Sequence, residues 1–295
     1  MTGGGRPQYL LEPIGVVRSS LAAPGEPPPW GVPAAIEVAP QFADALVGIE
    51  RSSHLYVLAF LQQADRSALS ARPRRMAPAA SPIGVFASRS PARPNPVSLT
   101  VCRLLRRDGL RLDVDALDLA DGTPVVDLKP YNPGWDNVSC ATRERRAAPD
   151  ALGDRQLLAC LQRALTCHLG ADAATPAARA ALAAACLATR HFGVDIRDPR
   201  LRAAVNRIDL TADALLGLLG ATLSSQRLIA IAQSAPLRIA VACELEALLF
   251  CEQATTATAL MATEPDLVWR ALRSEPRALP AADGESLLDL VREGG

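Results

Sequence analysis

The sequence predicts a mainly antiparallel β-barrel over residues 1–140 and an α+β accessory domain over 151–295. Three observations predict it. Short apolar or alternating runs broken by turn residues fill 9–137, the pattern of barrels and sandwiches built from short strands. Asp108-Gly109 stands between two such runs and is a strong hairpin signal. Past a change of composition at 138–150, Ala/Leu-rich stretches adopt helical spacing.

The elements follow in order. Residues 1–8 read as a loose tail. Strands are expected at 13–18, 34–38, 54–61, 83–88, 97–107, 110–118 and 124–128, with one short helix at 40–50. The segment 138–150, containing ATRERRAAPD, reads as a linker. Helices are expected at 151–167 and 175–191, and at 209–220 behind an Asp209/Thr211 cap. Strands at 227–233 and 237–243 precede helical stretches near 244–261, 265–273 and 284–292. No internal repeat is visible.

Composition narrows the function classes. The 295 residues are 49% hydrophobic and only 4% aromatic, so Leu, Val and Ala must fill the core. The formal net charge is zero, which argues against a generic polyanion binder. The seven cysteines are scattered, with no CxxC, and are expected to be free thiols in a reducing cytoplasm. No basic stretch precedes an apolar run, so no signal peptide is expected, and no apolar run is long enough to span a membrane.

Two blocks carry the chemistry. Residues 84–100 read GVFASRSPARPNPVSLT, and 121–133 read DGTPVVDLKPYNP. In the first, Pro91, Pro94 and Pro96 fix φ and push their predecessors toward extended shapes. The expected result is a stiff arm presenting the guanidinium forks of Arg89 and Arg93, with Asn95 beside them. Rigid Arg forks suit carboxylates, phosphates and stacked bases. In the second block, Asp127, Lys129 and Tyr131 would share one strand face, either as a polar pocket or as a solvated face with an Asp127–Lys129 pair.

The order IGVVRS, SHLYVLAF, GVFASRSPARPNPVSLT, LDLADGTPVVDLKPYNP resembles the TsaA-like β-barrel family, the family of the tRNA methyltransferase TrmO, over residues 9–137. That resemblance implies a small antiparallel barrel, usually dimeric, with S-adenosyl-L-methionine as methyl donor. It implies the N6 of a threonylcarbamoylated adenosine in tRNA anticodon loops as acceptor. By position, the implied cofactor contacts are Arg89, Leu99 and the turn Asp121-Gly122-Thr123-Pro124, with Gln62 and Gln63 at the same site. Arg93, Asn95, Lys129 and Tyr131 are the expected catalytic group, acting by alignment rather than as an obligatory base.

Two departures bear on the acceptor. Gln62 replaces a usual His, and Ser98 a usual Gly. A small-molecule acceptor, or a cofactor-binding module without turnover, are the rival readings. Toward tRNA, the window 66–111 holds ten arginines against one acid, Asp108. Trp30 reads either as a stacking lid or as a plug at a barrel end, and His54 as a capping or packing residue. A fainter resemblance of 151–275 to a formylmethanofuran dehydrogenase family rests on CHLG at 167–170 and TADALLGLLGATLSSQRL at 211–228. Cys167 and His168 are candidate ligands there, but two adjacent groups do not make a site, and no metal is expected.

Overall fold

The computed structural model describes residues 9–22, 31–72, 81–138, 152–221, 225–233, 236–252 and 272–292. Trp30, Arg74, Arg75 and Cys140 lie outside the described residues, as do 253–261 of the stretch expected near 244–261, most of 265–273, the expected tail 1–8 and all but Val138 of the expected linker 138–150. The chain divides into two compact units.

The first unit is a closed antiparallel barrel. Its six long strands are β1 (Gly15–Ser19), β2 (Val32–Val38), β3 (His54–Phe60), β6 (Val97–Asp108), β7 (Arg111–Leu117) and β8 (Pro124–Pro130). They close in the order β1-β2-β7-β6-β3-β8, and two short strands, β4 (Ser70–Ala71) and β5 (Ile83–Gly84), pair separately. A one-turn helix, α1 (Pro133–Asp136), follows β8. Strand alternation explains the closure. On β3, Leu55, Val57 and Ala59 point inward and are fully buried, while His54, Tyr56, Leu58 and Phe60 take the outer face. Val17, Ile36, Cys102, Leu112, Val114 and Val125 complete the interior from the other strands. Each large buried aliphatic contributes roughly 1.5–3 kcal/mol.

The Asp108-Gly109 turn is present: Asp108 pairs with Arg111, and Gly109 has φ +58°. The helix expected at 40–50 is instead two 3-10 segments, Pro40–Leu46 and Ile49–Arg51. Gly48, at φ +83°, breaks the run between them. The strand expected at 83–88 shrinks to β5 followed by a 3-10 turn at Val85–Ala87.

The second unit is α+β. Its sheet has the order β10-β9-β11-β12-β13, built from β9 (Leu201–Val205), β10 (Leu228–Ala230), β11 (Arg238–Cys243), β12 (Glu246–Glu252) and β13 (Leu272–Ala278). Helices α2 (Asp154–Leu169), α3 (Pro176–Phe192) and α4 (Leu210–Leu219) pack on the face carrying Ala203, Val205, Ile239, Val241 and Phe250. The alternate residues Ala204, Ala240, Ala242 and Leu249 meet Leu287, Leu288 and Val291 of α5 (Gly284–Arg292). One expectation is overturned here: 246–252 is a strand, not a helix. Glu244 takes φ +58° in a two-residue turn, and β12 then folds back on β11 with Ala247–Phe250 buried. Burial in the sheet overrides the helical preference of Glu, Ala and Leu. Strand β9 has no counterpart among the expected elements.

Candidate functional site

One end of the barrel is assembled from the second block and its neighbours. The turn 120–123 is sewn to β1. Asp121 and Gly122 donate backbone N–H bonds to Leu21 O (2.8 Å) and Val17 O (2.9 Å), and Thr123 O accepts from Val17 N (2.9 Å). Asp121 Oδ1 accepts from Ser19 N (3.1 Å), and Thr123 Oγ1 donates to Ala120 O (2.7 Å). Gly122 has φ +77° with open space beside it, so its backbone angle, not crowding, requires glycine. Pro124 then starts β8 opposite Val16.

Register brings other predicted residues to this end. Phe60, the last residue of β3, pairs with Val97, and Ala59 pairs with both Ser98 and Val125. Gln62 and Gln63, in the exposed turn after β3, therefore share an end with Asn95 and the 121–124 turn. Leu61 N donates to Pro96 O (2.8 Å), and Asn95 O accepts from Val97 N (2.8 Å). Ser98 Oγ donates to Ala59 O (3.2 Å) across the strand pair.

The Pro-rich arm differs from its expected form. Arg93 does not present its fork outward. Nε donates to Ser90 O (2.9 Å), and one terminal nitrogen donates to Val85 O (2.7 Å) and to Ser88 O. The guanidinium braces loop 85–93 from within. Arg66 Nε adds a bond to Pro94 O (3.1 Å). Arg89 remains exposed and forms no ion pair among the described residues.

The outer wall of β8-β3-β6 holds a second group. Leu58 lies between Leu99 and Asp127, and Tyr56 between Val101 and Lys129. Lys129 Nζ is 2.7 Å from Asp127 Oδ2, both partly exposed, so the Asp127–Lys129 pair is formed. Just past β8, the Tyr131 ring tilts against Tyr56 (centroids 5.6 Å) and meets His54 edge-on at 6.4 Å. The Tyr56 phenol is held above its ordinary range, first by partial burial, then by the Asp136 carboxylate and Tyr131, while Arg89 opposes the rise. The charges of Arg89 and Asp136 thus both act on Tyr56, with opposite sign.

These two groups do not merge within one chain. Lys129, level with Tyr56, lies six residues along β8 from Thr123, about 20 Å of strand. Arg89 acts on Tyr56, level with Lys129, whereas Asp121 sits in the turn before β8. A cavity of about 350 Å³ opens beside Asp127 and Lys129, lined mainly by Ile14, Val38, Phe42, Leu46 and Leu128.

The arginine window is also less positive than its sequence. Arg106 lies 3.4 Å from Asp113, Arg107 pairs with Glu50 at 2.8 Å, and Arg111 with Asp113 at 2.8 Å and Glu37 at 3.6 Å. Those acids lie outside 66–111 in sequence. In the second unit the His168 ring rests on Gly217 of α4, where a Cβ would come within 2.2 Å of ring Cδ2. His191 instead approaches Glu246 at 2.5 Å. Sequence reading did not single out Tyr56 or Trp135, an 85% exposed ring on α1. An aromatic between Pro-Gly and Asp was the available signal.

A family model described as the tRNA-methyltransferase O N-terminal domain matches residues 22–137. A probable S-adenosyl-L-methionine-binding protein of Archaeoglobus fulgidus is 44% identical over 135 residues, which are 44% of this chain but only 36% of that protein. A probable S-adenosyl-L-methionine-binding protein of Methanothermobacter thermautotrophicus is 39% identical over 135 residues, 44% of this chain and 96% of the relative. The tRNA (adenine(37)-N6)-methyltransferase of Escherichia coli K12 is 38% identical over 160 residues, 48% of this chain and 66% of that enzyme. With all of the barrel except β1 matched by the family model, and nearly the whole Methanothermobacter protein matched at this identity, the chain belongs to the tRNA-methyltransferase O family.

Proposed function

We propose that the chain is an S-adenosyl-L-methionine-dependent methyltransferase that methylates N6 of an adenosine in tRNA, with the threonylcarbamoylated adenosine of anticodon loops as acceptor. The observation that carries this reading is the family match over residues 22–137, which include the 121–124 turn and the arginine arm. The cofactor supplies a methyl group on a sulfonium. The chain's own residues bind and align: Arg89 offers its open fork for a carboxylate, the 121–124 turn offers backbone groups and Asp121, and Gln62, Gln63 and Leu99 line the approach. Asn95, Lys129 and Tyr131 orient the acceptor, and Arg93 holds the loop that carries Arg89.

A homodimer, which the family resemblance implies, would join Arg89 of one copy to the Asp121 turn of the other. A cytoplasmic setting suits a tRNA acceptor, and among the described residues no helix is long and apolar enough to cross a membrane.

A second reading, transfer to a small molecule, is favoured by the cavity of about 350 Å³ with Asp127 and Lys129 in its lining. The Gln62 and Ser98 departures point the same way. Calorimetric titration with S-adenosyl-L-methionine tests the cofactor, and nucleoside mass analysis of tRNA from a deletion strain tests the acceptor. Cofactor binding with an unchanged nucleoside profile would discard tRNA in favour of the small molecule. No heat on titration would discard both.

A further inference from the structure

The short turn after β8 presents a large ring to solvent and holds it there. Trp135 is 85% exposed. Pro133 opens the turn, and the Asn132 side chain accepts from Gly134 N (3.0 Å). Asn132 O accepts from Trp135 N (3.0 Å) and Asp136 N (2.8 Å). Asp136 Oδ2 accepts from Asn132 N (2.7 Å), which locks the turn from the other side. A tryptophan left in water on a turn with this many bonds offers a partner a large, preformed ring face. Fixing the backbone in advance lowers the entropy lost on binding.

Its surroundings state what kind of partner. Tyr131 and Tyr56 form a tilted ring pair next to the turn. Cations flank them: Arg89 acts on the Tyr56 phenol, and Arg103 lies opposite His54 in the β3-β6 register. Neither has an ion pair among the described residues, although Arg106, Arg107 and Arg111 elsewhere on the barrel do. Aromatic faces interleaved with guanidinium groups that lack an ion pair among the described residues suit unpaired nucleobases and their phosphates. A purely apolar partner would leave the two arginines unsatisfied.

We propose that Trp135 is a stacking platform for an unpaired base of the RNA acceptor, positioning the loop beside the Arg89 wall. This rests on the tRNA reading above. It adds a residue outside both sequence blocks' expected site.

The test is binding of unfractionated tRNA by fluorescence anisotropy, with methyl transfer measured in parallel, for wild type, Trp135→Ala and Trp135→Phe. Trp135→Ala is expected to weaken tRNA affinity by about tenfold, the size of one lost base stack. KM for tRNA should rise more than kcat falls, and Trp135→Phe should recover most of the loss. Affinity for S-adenosyl-L-methionine and the sedimentation coefficient should stay at wild-type values. Unchanged tRNA affinity in Trp135→Ala overturns the proposal. So does a smaller sedimenting species, which would assign the ring to a contact between copies. If wild type itself fails to bind tRNA, the tRNA reading falls, and the stacking role falls with it.

Discussion

On the β1-β2-β7 side of the barrel, the arginines sit in a ladder of carboxylates. Arg18 contacts Glu37 at 2.6 Å, Glu37 reaches Arg111, and Arg111 reaches Asp113, which Arg106 approaches from β6. On the β8-β3-β6 side, Arg89 acts on Tyr56 and Arg103 lies opposite His54, and neither guanidinium has an ion pair among the described residues, although Arg103 N donates to Asp115 Oδ1 (2.7 Å). The same residue type therefore does two jobs on one sheet. Paired guanidinium groups on an exposed ladder hold neighbouring strands in register and contribute little individually. Guanidinium groups without an ion pair, beside rings, are free to meet a phosphate or a base, and the stacking proposal for Trp135 draws on that difference.

The contrast can be broken in five ways, taken from the largest expected effect to the smallest. Arg93 sets the open face by bracing its loop. Arg93→Ala removes three donors to carbonyls and should cost at least about 2 kcal/mol of barrel stability, read from the denaturation midpoint. Arg93→Lys should not rescue it, because one ammonium lacks the planar fork. A Lys variant with wild-type stability and cofactor affinity would show that the brace is dispensable.

Next comes a mixing experiment. Arg89→Ala and Asp121→Ala should each be nearly inactive alone. If the two groups join across a two-fold dimer, co-refolded mixtures should regain about a quarter of wild-type activity, because half the dimers are mixed and each carries one intact site. A mixture no better than its parts would mean that each chain builds its site alone.

Gly122→Ala should cost about 1–2 kcal/mol through its φ of +77°, with no steric clash to add. Glu37→Gln disrupts two ladder contacts at once, yet should change stability by less than about 1 kcal/mol and leave cofactor affinity untouched. A larger loss would overturn the division between the two faces.

The subtlest test is titration of the Tyr56 phenol by NMR. Its ionisation lies above the usual tyrosine value, so the ring stays neutral through the physiological range. Arg89 favours the phenolate and Asp136 disfavours it. Arg89→Ala should therefore push the transition further up, and Asp136→Asn should bring it down. Opposite signs would remove both groups from the neighbourhood of Tyr56.

Much of the barrel was legible in advance because β3 alternates strictly and Asp108-Gly109 leaves little choice of turn. The second unit was harder to read. ELEALLFCE carries helix-forming residues, and only pairing with β11, invisible in a local window, makes it a strand. The arginine window misled for a similar reason: Glu37, Glu50 and Asp113 are close in space but lie outside the stretch counted. Prolines did signal a shaped arm, but nothing in the spelling of SPARPN tells which fork turns inward. Arg93 and Arg89 differ only in what the folded loop leaves within reach.

Closure of the first sheet has a consequence for solution behaviour. A β-sheet wrapped on itself offers no rim to which a stray strand can add, so intermolecular zippering through the barrel is suppressed. The second sheet is open, and its outermost strands among the described residues are β10 and β13. β10 is three residues long, and β13 carries Pro276, which lacks a donor. Shortness on one border and an imino acid on the other act as guards against runaway oligomers. Pro276→Val would remove one of them, and light scattering during prolonged storage should reveal the growth of large particles.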